Sequence, residues 1–244
     1  MIYSKYTMSV FRRLAATAVD LIFPPLCVVC ETVVADLRKT YNLCAACEEN
    51  IKLGDALECA ICGARLPDGK KICHPESPYL LAAAAKYENE TVQRLIWQLK
   101  YRGQTVAARP LAHLMSRYWK EVANQTKNPL VIPLPLHRRR LKIRGFNQAE
   151  LLARRFAQKT GLPINSSTLR RVRYIKPQAE CVSRAERVLN IQHSFLIKKP
   201  EQVRGKNIIL VDDVTTSGAT LREAALTIKR AGGKNIIALV AARA

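Results

Sequence analysis

Hydrophobic and polar residues follow two periods along the last two-thirds of this chain. Short apolar runs predict strands over residues 80–87, 130–135 and 208–211. Apolar positions at helical spacing predict amphipathic helices over residues 90–100, from Pro110 onward, over residues 148–160, and from Leu221 to Gly232 and Gly233. The run 208–211 is β-branched and uninterrupted, which is typical of a parallel strand that is buried on both faces. Trp97, His113 and Trp119 are expected in the core or at an interface rather than as base-stacking platforms.

The segment after this last strand carries the clearest chemical signal. Asp212 and Asp213 stand at the carboxyl end of the strand, where open α/β sheets bind ligands, and their carboxylates can accept hydrogen bonds from vicinal sugar hydroxyls. Backbone N–H groups and hydroxyls then gather at the start of a helix and favour an anion. They belong to Thr215, Thr216, Ser217, Gly218, Ala219 and Thr220. The pattern predicts a site that takes a phosphate and a diol together.

Other well-known phosphate motifs do not fit this segment. It lacks the G-x-x-x-x-G-K-S/T spacing and the lysine of a Walker loop, and it is not the G-x-G-x-x-G fingerprint of dinucleotide-binding proteins. A simpler interpretation is an ordinary strand followed by a capped helix, with Thr215 or Ser217 satisfying the first turn. That interpretation leaves two neighbouring carboxylates unexplained.

The string IILVDDVTTSGATL resembles the motif with which type I phosphoribosyltransferases bind 5-phosphoribosyl 1-pyrophosphate (PRPP). The resemblance implies that the loop from Thr215 to Thr220 holds the 5-phosphate, while Asp212 and Asp213 hold the ribose hydroxyls in an arrangement that includes Mg2+. Some purine-salvage members carry a third acid three residues beyond the second aspartate. Thr216 stands at that position and cannot act as a base, which disfavours a 6-oxopurine acceptor.

Four further segments extend the resemblance over nearly the whole chain. They read LKYRG from Leu99, PLPLHRRR from Pro133, RGFNQAELLA from Arg144 and PQAECVSRAERVLN from Pro177, and paired C-x2-C motifs precede them. In this order and approximate spacing they are similar to the ComF/GntX family of small bacterial proteins. The resemblance implies an α/β fold, with a type I phosphoribosyltransferase-like parallel sheet flanked by helices and preceded by a small zinc-ribbon domain. We place the two domains at residues 1–78 and 79–244.

Seven of the eight cysteines lie within residues 27–73. The pairs Cys27-x2-Cys30 and Cys44-x2-Cys47 have the spacing of a zinc ribbon, in which each turn offers two thiolates to one tetrahedral ion. The zinc is expected to be structural, because about sixty loop-rich residues have little core of their own. An arrangement in which the first and third cysteine pairs share an ion stays open.

A second unit begins at Cys59-x2-Cys62 and closes irregularly. The family pattern implies a further C-x2-C, but here Cys73 is followed by His74, and Glu76 stands where the last cysteine would be. Imidazole is the better zinc ligand, whereas adjacent cysteine and histidine ligands strain tetrahedral geometry. Three outcomes stay open: His74 as the fourth ligand, Glu76 as the fourth ligand, or a degenerate site without metal.

Net charge favours a partner that carries phosphates. Forty lysines and arginines stand against 19 acids, so the formal net charge is +21, and such self-repulsion opposes the compact state unless polyanions are met. No run of about eighteen apolar residues is present to span a membrane. Residues 8–23 are apolar but contain Asp20, and we interpret them as an amphipathic helix rather than a signal peptide. A cytoplasmic protein without membrane insertion is expected.

The family resemblance also implies two further parts of a PRPP site, a cationic loop for the pyrophosphate and a mobile lid. Leu136, His137 and Arg138 follow a predicted strand and suit a loop that grips pyrophosphate with cations and amides, although the basic string could also be a solvated turn. The polar residues 169–191 are interpreted as a lid that excludes water. Its candidate contacts are Gln178, Arg184 and Arg187.

Two hypotheses of different class follow. In the first, a ComF-like protein binds PRPP and supports natural competence, contacting single-stranded DNA and a DNA-uptake or helicase partner through its basic surface. In the second, it is an active phosphoribosyltransferase that uses an unknown acceptor and has no direct DNA role. An interaction adaptor with a vestigial pocket is a third. The sequence carries no acceptor signature, so enzymatic activity stays open at this point.

Overall fold

The computed structural model describes residues 24–34, 41–66, 73–122, 126–173 and 193–244. Within its cysteine-rich part the regular elements are short: helix α1 (Ala45–Glu49) and strands β1 (Leu57–Cys59) and β2 (Arg65–Leu66). The amphipathic helix expected over residues 8–23 lies outside the described residues. The same holds for the candidate lid residues Gln178, Arg184 and Arg187.

Strands and helices alternate through the rest of the chain. In order they are β3 (Leu80–Lys86), α2 (Glu90–Tyr101), α3 (Ala108–Val122), β4 (Leu130–Pro133), α4 (Arg138–Arg144), α5 (Gln148–Thr160), β5 (Leu169–Arg171), β6 (Phe195–Ile197), β7 (Ile208–Thr215), α6 (Ala219–Arg230) and β8 (Ile236–Arg243). The helices expected from periodicity are confirmed, although α3 begins two residues before Pro110. Among the helices of the described residues, none has the length and apolar character needed to cross a bilayer.

One six-stranded sheet runs in the order β2-β1-β3-β8-β7-β4. Strands β3, β8, β7 and β4 are parallel, whereas the β1–β2 hairpin joins the edge of β3 in the antiparallel sense. Because Cys59 pairs with Leu80, the cysteine-rich region continues directly into the sheet. A separate ribbon pairs β5 with β6. The α/β fold with a mostly parallel sheet is as predicted.

The parallel strands are covered on both faces. Ile209 and Val211 of β7 belong to a core that includes residues of α2, α3 and α5, while Ile208 and Leu210 belong to a second core with α6. Successive side chains of a strand point to opposite faces, so the uninterrupted apolar run serves both cores. Of the two tryptophans, Trp119 is buried, whereas Trp97 is 46% exposed and does not lie in the core.

Strand β7 is longer than its apolar run predicted. It continues through Asp212 and Asp213, because β8 pairs with it to its end. Strand β4 stops at Pro133, and the next contact is a 2.8 Å hydrogen bond from the Leu134 N–H to the Val211 carbonyl oxygen. Within the described part of the chain, the edge of β7 beside the two aspartates is therefore not covered by β4, which leaves room for a pocket.

Candidate functional site

A pocket of about 880 Å³ opens where β4 and β7 end. One side of the wall consists of residues 100–103 at the end of α2 and residues 212–221 of β7, its loop and the start of α6. The other side consists of residues 134–136 after β4, parts of α4 and α5, and Arg171 of β5. The fold thus gathers residues of LKYRG, PLPLHRRR and RGFNQ around the acidic string, although they are distant in sequence. Five cationic side chains and two acidic ones line it, so the lining favours an anionic ligand.

The two aspartates occupy different environments. Asp213 is 5% exposed, and its Oδ1 lies 3.0 Å from the Lys100 Nζ in a largely buried ion pair. Each carboxylate also accepts a hydrogen bond from the next backbone N–H: Asp212 from Asp213 at 2.8 Å, and Asp213 from Val214 at 2.6 Å. These bonds hold both carboxylates close to the backbone of β7 at the pocket wall.

The pKa of the Asp212 carboxyl lies well above its usual range. Burial and the neighbouring Asp213 charge raise the pKa of Asp212 to about 7, against the opposing charges of Lys100 and Arg171. Two adjacent carboxylates supply the oxygen ligands that Mg2+ prefers. The donor set therefore fits a divalent cation.

The phosphate loop is shorter than predicted. Strand β7 includes Thr215 and helix α6 begins at Ala219, so the loop proper is Thr216, Ser217 and Gly218. Gly218 is the N-cap with a left-handed φ of 69° and supplies no capping side chain, which leaves the first-turn amides available to an anion.

The position of Tyr79 explains why the loop has a glycine at position 218. Its hydroxyl donates a 3.4 Å hydrogen bond to the Gly218 carbonyl oxygen, and a Cβ added at Gly218 would lie 2.6 Å from the same Oη. Burial raises the pKa of Tyr79 to about 12, so the hydroxyl keeps its proton. Close approach and positive φ both require glycine here.

The predicted pyrophosphate loop leads directly into helix α4. Leu136 lines the pocket, but His137 is the N-cap of α4, where its Nδ1 accepts a 3.2 Å hydrogen bond from the Arg139 N–H. Arg138 is the exposed first residue of that helix, and neither His137 nor Arg138 is among the residues of the pocket wall. A histidine N-cap and a left-handed Gly145 at the C-cap explain the helix.

Residues that the sequence reasoning did not assign to the site supply its cations. Arg140 and Arg144 line the pocket from α4, Arg171 lines it from β5, and Lys100 pairs with Asp213. Burial and the nearby Arg140 charge lower the pKa of Arg171. The signal for Lys100 was present in the LKYRG segment, but spacing alone does not say which of its cations turns inward.

The first cysteine cluster fits one tetrahedral zinc ion. Its ligand atoms, from Cys27, Cys30, Cys44 and Cys47, lie within 4.8 Å of one another, and the Cys30 and Cys44 sulfurs are 3.5 Å apart, near the edge of about 3.8 Å in a tetrahedral zinc thiolate site. Hydrogen bonds with Thr32 lower the pKa of Cys30 to about 6. The cluster joins the first and second pairs, so sharing of an ion between the first and third pairs is excluded.

The second cluster uses His74. The ligand atoms of Cys59, Cys62, Cys73 and His74 also lie within 4.8 Å of one another. The His74 Nδ1 is 3.5 Å from the Cys59 sulfur and 3.4 Å from the Cys73 sulfur, so adjacency does not prevent both side chains from facing one ion. Glu76 is not part of the group, which favours His74 as the fourth ligand.

Fold and site together define a protein of the phosphoribosyltransferase type with a cysteine-rich zinc module at its amino-terminal end. The phosphoribosyl transferase domain profile matches residues 112–244, and the double zinc ribbon domain profile matches residues 18–75. The chain belongs to the phosphoribosyl transferase domain family and, within it, to the ComF proteins that combine this domain with a double zinc ribbon.

Named relatives cover most of the chain. DNA utilization protein YhgH of Salmonella typhi is 30% identical over 221 residues, 87% of this chain and 94% of that protein. Competence protein F of Haemophilus influenzae is 28% identical over 80% of this chain and 87% of its own length. Competence protein ComFC of Bacillus subtilis is 26% identical, over 80% of this chain and 81% of its own length.

Among solved structures, the allosteric regulatory enzyme of purine biosynthesis overlaps with 55% of this chain and 26% of its own. The TM-score is 0.38 and the sequence identity 19%.

Proposed function

We propose that this protein binds PRPP with Mg2+ in the pocket at the ends of β4 and β7. The observation that carries the proposal is the meeting of an acid pair, a glycine-containing loop at a helix N-terminus, and five cationic side chains around one cavity. A ligand with a vicinal diol and phosphates at both ends of its ribose has the chemistry to use all three.

The residues have distinct roles in this proposal. Amides and hydroxyls from Thr215 to Thr220 bind the 5-phosphate, while Asp212 and Asp213 accept hydrogen bonds from the ribose hydroxyls and ligate Mg2+. On the opposite wall, Arg140 and Arg144 join the backbone of Leu136 in binding pyrophosphate. His137, as the N-cap of α4, and Arg138, as its first residue, contribute through the position of that helix. Gln178, Arg184 and Arg187 stay candidates for the lid.

We propose further that the protein contacts DNA through its basic surface and supports competence or DNA utilisation in the cytoplasm. The names of the relatives, Competence protein F, ComFC and DNA utilization protein YhgH, support this part. The net charge of +21 supports it physically, since cations that neutralise DNA phosphates release counterions. A helicase or other DNA-uptake protein is the expected protein partner, and the zinc ions are structural.

A second candidate is active phosphoribosyl transfer. In that reaction the C1–O bond breaks, pyrophosphate leaves with the electron pair, and a lone pair of the acceptor forms the new bond to C1. The acceptor then releases its proton to water, since Asp212 and Asp213 are engaged with Mg2+ and the ribose hydroxyls.

Calorimetry tests the binding proposal. Titration of PRPP with Mg2+ into the full chain should give heat that disappears when Asp212→Asn and Asp213→Asn are combined. Asp55→Asn is the matched control, because that carboxylate is exposed and pairs with Arg65 outside the pocket. Unchanged affinity in the double variant would refute the assigned ribose contacts. Pyrophosphate release with one member of an acceptor panel would favour the transferase.

A further inference from the structure

The end of helix α2 presents two aromatic rings to solvent near the pocket. Trp97 is 46% exposed and Tyr101 is 69% exposed, and they are four positions apart, so they lie on the same face of the helix. Lys100, between them in sequence, turns inward to Asp213. The LKYRG segment therefore supports the acid pair with one residue and exposes an aromatic ring with the next.

Cationic and apolar side chains border these rings. The Arg102 guanidinium lies 5.2 Å from the Trp97 ring centroid, and the Arg144 guanidinium lies 6.0 Å from that of Tyr101. Ile143 is 80% exposed, and Tyr101, Arg102, Ile143 and Arg144 all line the pocket. We call Trp97, Tyr101, Arg102, Ile143 and Arg144 the pocket rim.

We infer that the pocket rim binds unpaired bases of a single-stranded nucleic acid that lies across the pocket mouth. This inference rests on the proposed contact with DNA and locates it. A single strand presents flat rings and negative phosphates in alternation, which aromatic faces and arginines together can bind. A duplex keeps its bases stacked inside, so it cannot offer their faces to Tyr101 and Trp97.

The positive charge of the pocket rim makes an ordinary apolar protein surface an unfavourable binding partner. Such a surface would cover the Arg102 and Arg144 guanidinium groups without supplying anions, and burial of an unpaired charge is costly. A free polyphosphate would pair with the arginines but leave the rings and Ile143 unused. The single strand satisfies both groups, and it is placed beside the PRPP pocket rather than on the zinc module.

Fluorescence anisotropy with two labelled oligonucleotides of equal length tests the inference. One is oligo-dT, and the other is abasic, so that it keeps the phosphates and lacks the bases. Wild-type full-length protein should prefer oligo-dT. Tyr101→Leu should weaken oligo-dT binding roughly tenfold, the loss expected for one stacked base, and should leave the abasic strand unaffected. Tyr101→Phe keeps the ring and should bind oligo-dT as the wild type does.

Arg102→Gln, at the rim arginine to which no PRPP contact is assigned, provides a contrasting variant. It should weaken both oligonucleotides and reduce the slope of log affinity against log salt by about 1, as expected for one lost phosphate contact. Equal effects of Tyr101→Leu on both strands, or equal affinity of wild-type protein for single strand and duplex, would overturn the pocket rim as a base-stacking surface.

Two results separate the inference from the proposed function. If the wild type binds neither strand, the DNA part of the proposed function fails together with the inference. If it binds oligo-dT tightly but Tyr101→Leu and Trp97→Leu bind equally well, the inference alone fails, because DNA then lies elsewhere. PRPP calorimetry on the wild type decides the pocket independently of both results.

Discussion

The inner wall of the pocket and its rim are built in opposite ways. On the inner wall, Asp212 and Asp213 accept hydrogen bonds from the backbone of their own strand. Lys100 forms an ion pair with Asp213, and the Tyr79 hydroxyl donates a hydrogen bond to the Gly218 carbonyl oxygen of the loop. On the rim, Tyr101 and Ile143 are mostly exposed. A preorganised polar wall suits a small ligand of fixed shape, whereas exposed rings and arginines suit a flexible polymer.

The largest expected effect comes from Lys100→Met, which attacks the inner wall from within the LKYRG segment. It leaves the Asp213 carboxylate buried without its cation, so the free energy of unfolding should fall by about 3 kcal/mol, measured by urea denaturation. PRPP affinity should fall as well. The matched control is Arg65→Met, whose ion pair with Asp55 is exposed and should cost less than 1 kcal/mol. Adding Asp213→Asn should restore part of the loss; no recovery would show that Lys100 acts through other contacts.

Gly218→Ala should have the next largest effect, because it strains the loop that carries the phosphate amides. The new Cβ meets the Tyr79 Oη, and together with the positive φ this should lower unfolding free energy by roughly 1–3 kcal/mol and PRPP affinity with it. Gly205→Ala is the control for φ alone, since Gly205 has a φ of 71° with nothing near its Cβ position.

Removing the Tyr79 hydroxyl separates the clash from the strain. Tyr79→Phe should return part of the stability and PRPP affinity that Gly218→Ala removes, measured as a double-mutant cycle. Strict additivity of the two changes would mean that the contact between Tyr79 and Gly218 does not shape the loop.

The smallest expected effect concerns pH and Asp212. The pKa of Asp212 is raised from 3.8 to about 7 in the folded protein, so its contribution to stability is complete below pH 4 and is lost as the pH rises to 7. Asp212→Asn does not titrate, so its stability relative to the wild type should grow between pH 4 and pH 7 and then stay level. Thermal unfolding across this range measures the difference. A flat difference would contradict a raised pKa.

The inner wall was accessible to sequence reasoning because it is local. Asp212, Asp213 and Gly218 fall within seven residues of one strand and loop, so spacing alone places them together. The length of β7 was not predictable in this way, since its continuation past Val211 depends on pairing with β8.

The rim was missed because it depends on tertiary placement. Trp97 and Tyr101 lie one helical turn apart, and only the folded structure shows that both rings are exposed with the Arg102 and Arg144 guanidinium groups near them. The choice between His74 and Glu76 was likewise open, because it depends on which side chain lies close to the three cysteine sulfurs in the folded chain rather than on ligand chemistry alone.

The β1–β2 hairpin links the second cysteine cluster to the edge of the parallel sheet. Strand β3 would otherwise end the parallel sheet with a row of unpaired N–H and C=O groups, which is a template for pairing with another chain. The hairpin covers part of this row, and Cys59 in β1 is both a strand partner of Leu80 and a member of the cluster. A metal bound there would therefore protect the protein against self-association, and chelation should produce aggregates as well as unfolded chains.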